Sequence, residues 1–274
     1  MKSFRSLPFI LLVFLAVACG APVPDYHSRQ HTDEAESHLA KALLANDKNA
    51  VAYWLEKIRE PSLALCYLLE KQYGDSDKVT VTTGMLDLLF KRGASPNVIC
   101  EHYLTDFNPL SLAVSLERPD IVQYLLARNA DPNLYFTDKI EGKQLKPKSA
   151  LMLAVSSHGS YHKEIDTYKE DAVYKERNST LEKNEKACSE IVRLLVKAKA
   201  DVNYQGSFQT PFLRPSEPED KTALMIAAES LDREMISLLL EKGARKDLKD
   251  VHGKTADVYA ANAGHLDLAQ ELMP

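Results

Sequence analysis

His158 and His162 stand four residues apart, a spacing that puts two imidazoles on one helix face, as a pair of metal ligands requires. Gly159 falls between them and no cysteine is near, so the pair alone does not make a metal centre, and no cofactor is expected. Cys66, Cys100 and Cys188 are widely spaced and form no C-x-x-C unit for zinc or thiol exchange. Cys66 and Cys188 fall within helical patterns and read as core residues, so no disulfide framework is indicated. The chain has no Gly-x-Ser-x-Gly, no phosphate loop and no His-Glu-x-x-His, and its carboxylates are spread as helix surfaces spread them. Catalysis is therefore not expected. The chemistry on offer is that of contact surfaces. "LYFTDKIEGKQLKPK" brings Tyr135, Phe136, Lys139 and Lys143 together, and "YQGSFQTPFLRPSEPED" brings Tyr204, Phe208, Phe212 and Arg214 beside three prolines. Aromatic residues and arginine dominate binding hot spots, and proline lowers the ordering cost of a loop. These eight residues are the candidate partner-binding set.

The N-terminus gives the setting. "MKSFRSLPFILLVFLAVACGAP" has a basic start at Lys2 and Arg5, an apolar run from Leu7 to Val17 and small residues before Cys19, which is the pattern of an export signal over residues 1–18. The run is too short for a helix of about 20 residues to span a bilayer. Ala16-Val17-Ala18 fits cleavage for soluble secretion, whereas "LAVAC" resembles a bacterial lipobox with Ala16 where Leu is usual, which would make Cys19 the lipid-bearing residue. Removing residues 1–18 takes away two cations and moves the formal charge from −5 to −7. A nucleic-acid partner, which needs clustered Lys and Arg against phosphates, is thereby disfavoured. Residues 19–31, with Pro22 and Pro24 and no periodicity, read as a tether.

The elements that carry the loops repeat. With Thr222 as position one, "TALMIAA" begins an inner helix, "EMISLLLEKGA" an outer helix ending at Gly243, and Asp247 is position 26. The same frame fits 108–133, 255–273, and 149–203 with an insertion at 156–187, while 85–97 is a partial copy. Met235, Ile236, Leu238 and Leu239 form an apolar stripe that one repeat cannot bury, so neighbours must stack. Gly93, Asn129 and Gly243 suit left-handed helix caps. Upstream, residues 32–78 read as a helical cap or degenerate repeats, with Thr32 and Asn49 as N-caps and Trp54 in the cap core.

Pro109-Leu110, Ala227-Ala228, Gly264-His265, Leu194-Leu195, Gly243-Ala244 and Ala200-Asp201-Val202-Asn203 together resemble the ankyrin repeat, over about residues 79–274. Asn108, Ser149 and Asp257 depart from its pattern, and the motif His is missing from every copy. The resemblance implies an all-α ankyrin-repeat solenoid with hairpin-like finger loops, an N-terminal helical cap, and a concave face of fingers and inner helices that binds protein. From position 26 to the next position one the family spacing of eight holds between Asp247 and Thr255, but rises to 11 after Asn97, 16 after Asn133 and 19 after Asn203. Three long fingers in succession point to a built-up recognition surface. The 156–187 insertion is polar with nearly cancelling charge and reads as a solvated extension leaving the edge opposite the fingers. Export and the resemblance together imply a non-catalytic binder, monomeric when free, in a bacterial periplasm or envelope. Its expected partner is an envelope enzyme, for instance a peptidoglycan endopeptidase that it inhibits, in the manner of self-protection ankyrin proteins of predatory bacteria. A secreted effector engaging a host protein and an envelope scaffold with several weak partners are the alternatives.

Overall fold

A computed structural model describes residues 34–74, 81–101, 105–138, 146–168, 175–207 and 220–274. Within them, helices follow one another in pairs: α1 (Glu34–Leu44) with α2 (Lys48–Lys57), α3 (Pro61–Gly74) with α4 (Thr83–Lys91), α5 (Pro109–Ser115) with α6 (Pro119–Leu126). The series continues with α7 (Ala150–Tyr168) and α8 (Lys175–Lys197), α9 (Ala223–Glu229) and α10 (Arg233–Glu241), and α11 (Ala256–Asn262) and α12 (Leu266–Leu272). The first helix of each pair packs on the first helix of the next, so α1, α3, α5, α7, α9 and α11 form one inner row. The apolar stripes meet there in a single continuous core from Leu39 to Leu272. Leu224, Met225, Ala227 and Ala228 of α9 are all buried, and the two alanines set how closely neighbouring inner helices approach.

Left-handed turns at the helix ends fold the chain back on itself, two of them in each of the pairs α5/α6 and α9/α10. After the outer helices, Gly93, Asn129, Lys199 and Gly243 have φ of 91°, 63°, 66° and 87°. At each, the next residue's N–H returns to a carbonyl five residues back: Ala94 to Leu89, Ala130 to Leu125, Ala200 to Leu195, Ala244 to Leu239. This is the Schellman closure that satisfies the last carbonyls of a helix. The inner helices end the same way, with Asn46, Glu117, Leu231 and Gly264 at φ of 52°, 54°, 61° and 89° and Asp47, Arg118, Asp232 and His265 donating back. Gly93, Asn129 and Gly243 are legible as such caps in the sequence; Lys199 does the same work without the residue type that announces it.

Helix starts are set by side chains. Asn108 Oδ1 accepts from Ser111 N at 2.8 Å, Ser149 Oγ from Met152 N at 3.1 Å and Thr222 Oγ1 from Met225 N at 3.2 Å. The departures from Thr at position one are thus equivalent N-caps. At the N-terminal end the expected cap is displaced by two residues: Asp47 accepts from Asn49 N and Ala50 N, and Asn49 lies inside α2. Thr32 lies outside the described residues. Trp54 is partly buried against the core and stacks on His38 at 4.7 Å. The boundary drawn between a cap and the repeats at residue 79 falls between α3 and α4, which pack as one pair.

An asparagine ladder ties successive loops together. Asn97 donates to Asn129 O at 3.0 Å and accepts from Asp131 N at 2.7 Å. Asn133 repeats this on Lys199 and Asp201, and Asn203 on Gly243 and Arg245. Ser62 begins the series by accepting from Ser95 N at 2.9 Å.

Candidate functional site

The fingers pair with one another through their backbones. β1 (Thr105–Asp106) runs antiparallel to β2 (Thr137–Asp138), which joins the first finger to the second, and the bridge between Phe136 and Lys148 closes the second finger on itself. β3 (Gly206–Ser207) pairs with β4 (Asp220–Lys221) inside the third finger, and Ser207 N donates to Lys146 O of the second. Gly206 is required here, because a Cβ would run into the Pro147 carbonyl. The three long fingers therefore share one hydrogen-bonded base.

Aromatic stacking reinforces it. Tyr135 and Tyr204 lie face to face with centroids 3.8 Å apart and planes within 13°, and the Tyr204 hydroxyl donates to Pro147 O at 3.0 Å. Burial raises the pKa of both phenols, aided by Asp201 and Asp131 at Tyr135 and by Asp220 at Tyr204. Phe136 stacks on Phe107 at 6.0 Å and is only 4% exposed, so its ring is taken up by packing between fingers and is not presented to a partner. The structure thus brings three of the eight proposed contact residues into the finger base, where Tyr135 and Tyr204 stay half-exposed. Lys139, Lys143, Phe208, Phe212 and Arg214 lie outside the described residues, as does Cys19.

A charged floor lies beside this base. Lys146 pairs with Asp220 at 2.5 Å; Lys221, nearly fully buried, pairs with Glu229 at 2.8 Å and lies over the Tyr259 ring. Tyr259 in turn donates to Asp250 at 2.6 Å. Burial works against the Asp250 carboxylate, but hydrogen bonds from Tyr259 and from the Lys254 and His252 amides outweigh it and hold its pKa below the usual range. Ile99 and Val251, 41% and 54% exposed on the first and last fingers, put apolar side chains at either end.

The reading of the cysteines needs correction. Cys66 of α3 and Cys100 of the first finger form a disulfide with Cα atoms 5.6 Å apart. Cys100 also exchanges both backbone hydrogen bonds with Phe107, so the bridge fastens the base of the first finger to the inner row. Spacing rules for metal and thiol-exchange motifs are blind to a pair 34 residues apart. The signal available was that separation itself, close to one repeat period. Cys188 is free and buried, and burial pushes its thiol pKa up, with Glu117 and Glu185 adding to the shift.

A family model described as ankyrin repeats in three copies matches residues 183–274, and a single ankyrin-repeat model matches residues 105–135. The chain is an ankyrin-repeat protein. A search of curated proteins finds no match to it. Ankyrin repeats are protein-interaction modules and typically non-catalytic.

One ankyrin repeat breaks the frame. His158 occupies the position that Glu117, Leu231 and Gly264 fill with a left-handed turn, yet α7 continues through it as helix. α7 and α8 thereby extend beyond their neighbours as an arm, one inner-helix length away from the fingers. A small satellite cluster of Tyr161, Leu181 and Cys188, with Ile165 against it, packs the two helices of the arm. His158 Nδ1 donates to Asp232 at 2.5 Å, and His162 Nδ1 to Glu185 at 3.0 Å. His–Asp pairing orients a general base in hydrolases, but the His158 ring is 1% exposed and out of reach of a substrate. Among the described residues no three His, Cys, Asp or Glu side chains are grouped to hold a metal. The two histidines instead fasten the arm.

Proposed function

We propose that this ankyrin-repeat protein acts outside the cytosol, in a bacterial periplasm or envelope, as a non-catalytic module that captures and restrains an envelope enzyme such as a peptidoglycan hydrolase. The observation that carries this reading is the Cys66–Cys100 bridge, because a disulfide at the base of a binding finger persists in an oxidising compartment and is rare in a reducing one. The leader-like N-terminus and Cys19, as a lipid-bearing or first mature residue, agree with that setting. The fingers supply the contact surface: their shared base limits the ordering cost of binding, and Tyr135 and Tyr204 stand at its exposed side. A formal charge of −7 after removal of residues 1–18 favours a basic partner surface.

The test is capture from envelope extract with two baits, residues 20–274 and the same chain with the second and third fingers cut to the eight-residue family spacing. The expected result is one enzyme retained by the first bait, lost with the second, and inhibited when bound. Equal retention of the same proteins by both baits rules out the long fingers as the recognition surface. Retention of several proteins without inhibition turns the assignment to an envelope scaffold.

A further inference from the structure

The arm is fastened to the solenoid at two points, both made by titratable groups. On one side the Tyr161 hydroxyl donates to Glu117, the left-handed turn residue of the preceding repeat. On the other, His158 donates to Asp232, whose second oxygen caps α10 of the following repeat by accepting from Met235 N at 3.0 Å. Asp232 is 0% exposed. Gly159 sits against Ser230 beside this anchor, so the arm meets both neighbours through their helix–helix turns.

The surroundings of each anchor favour the proton. The groups facing His158 are Asp232 at Nδ1, Glu234 with Oε2 4.0 Å from Nε2, Glu185 of α8, and His162 one turn along α7 with centroids 6.4 Å apart. Buried Nε2 has no hydrogen-bond partner. In the neutral ring bonded to Asp232 that nitrogen is a lone pair turned towards a second carboxylate; in the imidazolium it is a donor turned towards it. The groups facing Glu117 are Tyr161 of α7 and Cys188 of α8, with Arg118 beside it in the chain. The Arg118 Nη2 is engaged by Asp120 at 2.6 Å and by Val81 O at 3.0 Å.

We propose that these two anchors make the inserted arm a proton-dependent clamp, docked against both neighbouring repeats in mildly acidic surroundings and loosened in alkaline ones. The two sites act in the same direction. Burial lifts the Glu117 carboxyl from 4.5 to about 7, against the opposing Tyr161 hydrogen bond. Burial disfavours the charged His158 ring, but the Asp232 hydrogen bond and charge, with Glu185 and Glu234, outweigh it and raise its pKa. A group whose pKa is higher docked than free binds its proton more tightly when docked, so its contribution is complete below the free value and is lost as pH rises through the docked one. For Glu117 the contribution declines between 4.5 and about 7, and for His158 it declines above the ordinary histidine range.

Hydrogen–deuterium exchange of the full chain tests this, with protection corrected for intrinsic rates and the arm (160–168 and 178–188) compared with α9 (223–229) in the same sample. Each proton linked to docking changes protection by up to about tenfold per pH unit across its window. The expected result is an arm protection that falls at least about tenfold relative to α9 between roughly pH 6 and 8.5. Glu117→Gln, which keeps a neutral side chain at the first anchor, should retain more arm protection than the wild type at the alkaline end. His158→Gln should lower it already at the acidic end. An arm-to-α9 ratio that stays constant across the range overturns the clamp, as does a Glu117→Gln profile superimposable on the wild type. The wild-type profile decides the first point even where a variant folds poorly.

Discussion

A Cβ on Gly159 would lie 2.6 Å from the Ser230 Cβ, a contact that no side-chain rotation relieves because both atoms are fixed by their backbones. Intrinsic helix propensity argues the other way: in the interior of a helix such as α7, Gly→Ala normally gains about 1 kcal/mol. The two effects have opposite signs, so one variant separates them. Gly159→Ala should destabilise the protein by about 1–3 kcal/mol, the usual cost of overpacking, read as a lower urea midpoint at unchanged slope. Ser230→Gly removes the opposing Cβ, and in that background the same change should be neutral or stabilising. A stabilising Gly159→Ala in the wild-type background would mean that α7 and the turn after α9 are not in contact. His158 illustrates the same point from the side of function. Its spacing from His162 is metal-like, but its environment, a buried carboxylate on the next repeat, makes it a fastener.

The paired helices were legible because their signals are local: Thr222, Asn108 and Ser149 open helices, and Gly93 and Gly243 close them. The break at His158 was legible only as an insertion, since nothing local announces that α7 runs on or which turns it meets. The disulfide was the least visible element, because Cys66 lies on a helix and Cys100 in a finger, and their meeting depends on the stack. Its energetic role can be estimated from the loop it closes. A bridge across 34 residues removes unfolded-state entropy worth about 3–4 kcal/mol. Cys66→Ser combined with Cys100→Ser should therefore lower unfolding stability by about that amount in urea melts, and a reductant should shift the wild type towards the double variant while leaving the variant unmoved. Equal stability with and without reductant would mean that the bridge does not form. Because Cys100 pairs with Phe107, the double variant should also weaken partner capture through the first finger before the remaining repeats unfold.

Along the whole stack, stability in a repeat protein is close to a sum of unit and interface terms, so local opening should follow how much each pair buries. The two ends of that scale are far apart. α2 buries none of its residues, and the ladder of loop hydrogen bonds begins only with Ser62, in the pair after it. α9 buries six of its seven residues, lies between α7 and α11, and belongs to a pair tied on both sides: Glu234 accepts from Ser189 at 2.6 Å, and Arg233 pairs with Asp267 at 2.6 Å. α1 is intermediate, since buried Glu36 accepts from Arg59 N and Glu60 N and so anchors it to the start of α3. Native-state exchange should accordingly show α2 opening first, α1 next and α9 only with global unfolding. Opening free energies near zero are expected for α2, rising to the global value of roughly 5–15 kcal/mol at α9. A uniform profile would mean that the stack unfolds as one cooperative block, in which case the first finger draws its rigidity from the entire core and not from the Cys66–Cys100 bridge beneath it.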